Sequence, residues 1–233
     1  KNFFSKIKKK IIFTSLETVE VAKEAVQLKL GLDVTFVNLL ADFCKYNKAI
    51  THDVIDYMKH DVRFSKKGYW RPGLGFGGGH IERGLKTFDQ NLNINYKNLV
   101  REIINYNEKR MDYFINHVKS HLINFKNPKI GILGLAYKKN SESVFRSYAV
   151  RFIQKMNKQK NFVNVYDPVA KFSKDFEKKH HVKQVTQIKT VLKNSNVLLV
   201  MCDWDEFKKI HFKNLNQLNV KIIADPFSIF KKD

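Results

Sequence analysis

The chain holds ten glycines, and seven of them fall between Gly68 and Gly84, most within the run Pro72-Gly73-Leu74-Gly75-Phe76-Gly77-Gly78-Gly79-His80-Ile81-Glu82-Arg83-Gly84. A glycine inside a helix or strand forfeits backbone entropy and packs no side chain, so this density predicts a loop over 72–84. Successive backbone N–H groups in such a loop form a concavity suited to phosphate or another oxyanion. A flexible linker would mix in serine, proline and charge, whereas this run carries Leu74 and Phe76 and lies between apolar, periodic segments.

Those flanking segments are helical by their spacing. Val19, Ala22, Val26, Leu30, Val34, Val37, Ala41 and Cys44 recur every three or four residues and predict one long amphipathic helix from Thr18 to Asn47. A shorter helix starts near Thr51, with that threonine as its cap. After the glycines, Ile104, Met111, Ile115, Val118, Leu122 and Phe125 mark a second long helix that Pro128 terminates. Beyond Pro128 the pattern changes to short apolar runs, 129–133, 162–166, 197–201 and 220–224, alternating with helical stretches. Runs apolar on both faces are strands of a parallel sheet covered on both sides, a Rossmann-like arrangement. Ligands of such sheets sit at the carboxyl ends of the strands, here the loops opening at Gly134, Asp167, Cys202 and Asp225.

The formal charge of +21 by itself suggests an anionic partner. The excess is lysine spread along the whole chain beside many Asn, Ile and Phe, the bias of an AT-rich coding sequence, so a phosphate-bearing ligand is preferred over nucleic acid. Cys44 and Cys202 stand far apart in apolar contexts, which suits buried, reduced thiols rather than a disulfide framework or metal site. No apolar stretch reaches membrane-spanning length. The basic head Lys1 to Lys10 is followed by only Ile11-Ile12-Phe13, too short for a secretory core, and a cytoplasmic protein is expected. His180-His181 lies among lysines without further ligands and reads as solvated surface.

Several motifs in order resemble one family. They are Val19-Glu20-Val21-Ala22-Lys23, then Gln27; Phe36-Val37-Asn38; Asp61-Val62-Arg63-Phe64; the glycine run; Gly134-Leu135-Ala136-Tyr137-Lys138-Lys139-Asn140; Tyr166-Asp167-Pro168; and Asp203-Trp204-Asp205-Glu206-Phe207. From about Leu16 to Ile229 they resemble the central and C-terminal domains of the UDP-glucose and GDP-mannose (nucleotide-sugar 6-) dehydrogenases. The resemblance implies an α/β chain: a central helical dimerisation domain over 1–127, carrying the glycine loop, and a Rossmann-like UDP-sugar-binding domain over 128–233. The family's N-terminal NAD-binding domain, with its Gly-x-Gly-x-x-Gly, has no counterpart before Thr18, so NAD is implied as cofactor only through a domain these residues do not supply.

Family members oxidise the sugar C6 alcohol to a carboxylate in two steps with two NAD, through a thiohemiacetal and a thioester on a cysteine. The residue at the cysteine position here is His80, and Arg83-Gly84 stand where Lys-Asp follows. By the same resemblance Lys23 and Gln27 take the catalytic lysine and asparagine positions. Gly75, Phe76, Gly77, Gly78 and Lys138 would hold the substrate, and Arg63 would reach it across a homodimer formed through the 18–47 helix. Phe145 replaces an arginine associated with the cofactor, with Arg146 one place away, and Phe227 replaces the arginine of an Asp-Gly-Arg-Asn-like turn. An imidazole does not readily replace a thiolate that must form and release a thioester. The resemblance thus implies either a partial, degenerate dehydrogenase or an inactive paralogue that binds UDP-sugars or assembles with an active subunit. Plainer readings stand beside these roles: Lys23 as a solvated helix lysine, Arg63 in a surface ion pair, and His80 as a loop residue without chemical duty.

Overall fold

A computed structural model describes residues 10–92, 97–156, 162–210 and 218–230. The basic residues 1–9 discussed above lie outside the described residues. Helix α1 (Leu16–Tyr46) begins where Ser15 Oγ accepts the Thr18 N–H at 3.3 Å, two residues before the expected start. Helix α2 (Thr51–His60) is preceded by Ile50 in the cap position and has no side-chain cap, so Thr51 is a helical residue and not the cap.

The glycine run does not end as a loop. Helix α3 spans His80–Asn91 and takes in Gly84, which corrects the expectation of a loop over 72–84. Ile81, Leu85 and Phe88 recur at helical spacing and pack into the helical core, and this burial overrides the local cost of a glycine. Gly84 lies where α3 packs against α1, and a Cβ there would overlap the Gln27 side chain. Gly31 makes the reciprocal concession on α1, its Cβ position lying 3.2 Å from Leu85.

Helix α4 (Lys97–Leu122) stops before Phe125, three residues earlier than its apolar pattern suggests. It buries Val100 and Ile103 with Val34, Phe76 and Leu85 in a small helical core. Further along, Met111, Ile115, Val118 and Leu122 join the core of the sheet. One helix therefore serves both halves.

The second half is a five-stranded, all-parallel sheet of order β3-β2-β1-β4-β5. Its strands are β1 (Lys129–Leu133), β2 (Phe162–Tyr166), β3 (Val182–Gln184), β4 (Val197–Val200) and β5 (Ile222–Ala224). The fold is thus α/β, with helices first and a parallel sheet after. Helices α5 (Tyr148–Met156), α6 (Lys174–His180) and α7 (Ile188–Lys193) connect the strands, and a 3-10 turn over Asp205–Lys209 follows β4. Ile132 is in register with Val165 on one side and Leu199 on the other, all three wholly buried. Phe152 and Phe207 complete this core without exposure to solvent.

Candidate functional site

The segment from Arg71 to Gly79 crosses between the two halves and is held from both. On the helical side the Gly73 N–H donates to Asn38 Oδ1 at 2.8 Å, and the Gly73 carbonyl accepts from Arg110 Nε at 2.8 Å. Arg110 also pairs with Asp42 at 2.6 Å. The Asn107 carboxamide meets both polar groups of Phe76, accepting its N–H at 2.7 Å and donating to its carbonyl at 3.0 Å. The Phe76 ring enters the helical core beside Leu85 and Ile103. Phe76 is therefore an anchor of the loop, and its amide is not offered to a ligand, in contrast to the expected substrate contact. Gly75 carries φ +115°, and a Cβ there would overlap Asn107 Oδ1.

On the sheet side the glycines give room to aromatic rings. The Cβ positions of Gly73, Gly78 and Gly79 lie 2.8, 2.8 and 3.0 Å from the rings of Phe227, Tyr137 and Phe145 respectively. Gly78 also needs its φ of +74°. A Cβ on Gly77 would lie 3.3 Å from Tyr137 Cβ and 3.2 Å from the Arg146 carbonyl. Arg71 completes the junction, with one nitrogen on Asp203 Oδ2 and another on the Phe227 carbonyl, both at 2.8 Å. Phe145 and Phe227, the two aromatics at expected arginine positions, thus flank the loop.

Beyond Gly79 the chain opens into a cleft of about 560 Å³ lined by Gly79, His80, Glu82, Arg83, Lys86, Thr87, Gln90, Phe145 and Arg146. Both oxygens of Glu82 are taken, Oε1 by Lys86 and Oε2 by Arg146, each at 2.7 Å. Arg146 has left-handed backbone (φ +50°) and also reaches Glu108 at 3.4 Å. His80 is exposed, with Nδ1 3.2 Å from an Arg83 guanidinium nitrogen. A guanidinium only donates, so Nδ1 accepts and the hydrogen of the neutral ring is on Nε2.

The remaining expected residues are not gathered here. Lys23 is exposed on α1, and Gln27 packs its aliphatic part against Gly84; neither lines the His80 cleft. Arg63 is exposed and forks onto its near neighbour Asp61, with Nε and NH2 at 2.9 and 2.5 Å from the two carboxylate oxygens. Lys138 is exposed, its Nζ 5.6 Å above the Tyr137 ring that supports the glycine loop.

The strand-end crevice of the sheet is filled by the protein itself. Asp167 Oδ2 accepts the N–H groups of Leu135 and Ala136 at 2.7 and 3.0 Å and Trp204 Nε1 at 3.0 Å. Asp167 Oδ1 takes Val169 and Ala170 at 2.9 and 2.7 Å. Gly134 lies against Cys202, closing β1 onto β4. The amides that would receive a dinucleotide pyrophosphate at a first strand-to-helix loop are engaged by Asp167, and these residues do not fit NAD there. Both thiols are buried, and burial, aided by the nearby Asp203 and Asp167 charges, pushes the Cys202 thiol far up. Among the described residues no helix is long and apolar enough to cross a membrane.

Sequence reasoning did not single out Asn107, Arg110, Arg71 or Glu82. A signal existed for one: Asn107 interrupts the apolar stripe Ile103-Asn107-Met111-Ile115, and a buried polar residue at such a place needs a partner.

Comparison with known proteins agrees with this arrangement. Residues 17–109 match the central domain of the UDP-glucose/GDP-mannose dehydrogenase family, and residues 131–232 match its UDP binding domain. The UDP-glucose 6-dehydrogenase TuaD of Bacillus subtilis is 25% identical over 94% of this chain and 48% of its own length. The UDP-glucose 6-dehydrogenase of Rickettsia bellii is 24% identical over 96% of this chain and 52% of its own. The chain thus spans about half the length of these curated relatives. The same fold occurs in the UDP-D-ManNAc dehydrogenase of Pyrococcus horikoshii (TM-score 0.81, 21% identity, 97% of this chain and 52% of that one). It occurs also in a UDP-glucose dehydrogenase of Pyrobaculum islandicum (TM-score 0.79, 20% identity, 96% and 54%). Two consecutive domain matches in family order, on a glycine loop clamped between them, make this chain a member of the UDP-glucose/GDP-mannose dehydrogenase family.

Proposed function

We propose that this chain is the nucleotide-sugar-recognising part of a family protein that binds UDP-sugars and has lost the oxidation of the sugar C6 alcohol. The observation that carries this reading is His80, which follows the glycines where the resemblance calls for a cysteine and is hydrogen-bonded through Nδ1 to Arg83. A thioester route needs a thiolate at that place. The chain's two thiols are both buried elsewhere, one on α1 and one at the end of β4. Gln27 fills the groove made by Gly84, so two positions of the family's machinery serve helix packing instead.

The diphosphate is held by the backbone of Gly77 to Gly79 together with Lys138, which stands in solvent on the Tyr137 support. Asn107 and Arg110 fix the loop but do not touch the ligand. NAD, where the family uses it, belongs to a domain other than the residues present here. The chain pairs with a second copy through α1, which leaves Phe36, Leu39, Phe43 and Tyr46 exposed along one stripe. Arg63 then exchanges Asp61 for the neighbour's ligand.

Calorimetric titration of UDP and UDP-glucose into this chain and into Lys138→Ala tests the binding site. Measurable binding that weakens about tenfold or more in the variant, the scale of a hydrogen bond to a charged group, is expected. Equal affinities remove Lys138 from the site, and no binding of either ligand contradicts the proposed function.

A further inference from the structure

The cleft beyond Gly79 has a chemistry of its own. Its charged lining is three cations, Arg83, Lys86 and Arg146, against the single carboxylate Glu82. Glu82 already has each oxygen on one of those cations, so Arg83 remains without a carboxylate partner among the described residues. Its guanidinium instead donates to His80 Nδ1, which leaves the His80 Nε2 as a hydrogen-bond donor. The site thus presents donors and surplus positive charge, and the one acceptor of its neutral imidazole, Nδ1, is already taken by Arg83. A neutral hydroxymethyl group gives little to such a surface, whereas a carboxylate accepts from His80 Nε2 and pairs with Arg83 in the forked geometry a guanidinium favours.

We propose that this site selects a nucleotide-linked uronic acid, a sugar already bearing its C6 carboxylate, over the corresponding neutral sugar. The inference rests on the proposed nucleotide-sugar site: with the diphosphate on the Gly77 to Gly79 backbone, the sugar extends toward the next residue, His80. The exchange of a thiol position for a donor imidazole supported by Arg83 then converts a place for reaction into a place for reading the oxidised state of the sugar. The Phe145 ring, packed against Gly79, also lines the cleft.

Three titrations under one low-salt condition test this, with UDP, UDP-glucose and UDP-glucuronate as probes. UDP-glucuronate is expected to bind about tenfold or more tightly than UDP-glucose, the effect of one charge-assisted contact. Arg83→Gln and His80→Ala are each expected to shrink that ratio toward one; both residues are exposed, so neither change threatens the fold. Equal affinities for the two sugars while UDP binds overturn the selectivity and leave the nucleotide-sugar reading standing. A ratio that survives both substitutions also overturns it. If UDP itself fails to bind, the nucleotide-sugar reading falls and the selectivity falls with it.

Discussion

Strands β1 and β4 bury every side chain from Ile130 to Leu133 and from Val197 to Val200, whereas α1 leaves Val26, Phe36, Leu39, Phe43 and Tyr46 exposed. The sheet is covered by its own helices and by the far end of α4, and its core is continuous. The helical half closes only a small core around Val34, Phe76, Leu85, Val100 and Ile103. One half closes a large core of its own; the other leaves an apolar stripe exposed. The glycine loop lies between them and borrows its rigidity from both, through Asn107 and Arg110 on one side and Tyr137, Phe145 and Phe227 on the other.

The contrast breaks first at the sheet if it is wrong. Phe207 is fully buried, and Phe207→Ala is expected to cost about 3–5 kcal/mol in urea unfolding. A loss below about 1 kcal/mol, far under the usual range for a buried ring, would show that this half does not close a core of its own. Asn107→Leu tests the loop's dependence on α4. It leaves the buried Phe76 N–H and carbonyl without partners, at about 1–3 kcal/mol for a group that stays buried, and speeds hydrogen exchange at the Phe76 amide. Unchanged exchange would mean that the clamp does not hold the loop. Gly84→Ala sharpens the account of α3: the new methyl meets Gln27, with an expected loss of about 1–3 kcal/mol from overpacking. Smallest in stability is Phe43→Glu on the exposed stripe, within about 0.5 kcal/mol for the folded chain. Light scattering should nevertheless show a dimer becoming a monomer, and a wild-type monomer would refute pairing through α1.

The sheet is the more legible half because its strands are continuous apolar runs: β1 and β2 have the expected bounds, β4 ends one residue early and β5 begins two residues late. The fifth, Val182–Gln184, buries only Val182 among polar neighbours at the sheet edge and has no run to read. In the helical half composition misled: glycine density hid the start of α3, because Gly84 is there for the approach of α1, a fact that appears only when the two helices are side by side. Phe76 read as a ligand contact, yet its polar groups are spoken for by Asn107, 31 residues away in the chain. Long-range partners of this kind leave no local pattern. The departures at His80, Phe145 and Phe227 were visible residue by residue, but that both aromatics lean on the glycine loop was not.

The central claim is that the site recognises a nucleotide sugar without oxidising it. The most direct measurement joins this chain to the NAD-binding domain of a relative such as the Bacillus subtilis UDP-glucose 6-dehydrogenase, supplies UDP-glucose and NAD, and follows NADH and uronate together. The account predicts UDP-sugar binding with near-background NADH, and little recovery in His80→Cys, because Gln27 and Gly84 are committed to helix packing. Two NADH per uronate at about one turnover per second or faster, ordinary for an enzyme, would contradict it and return His80 or a neighbour to a catalytic role.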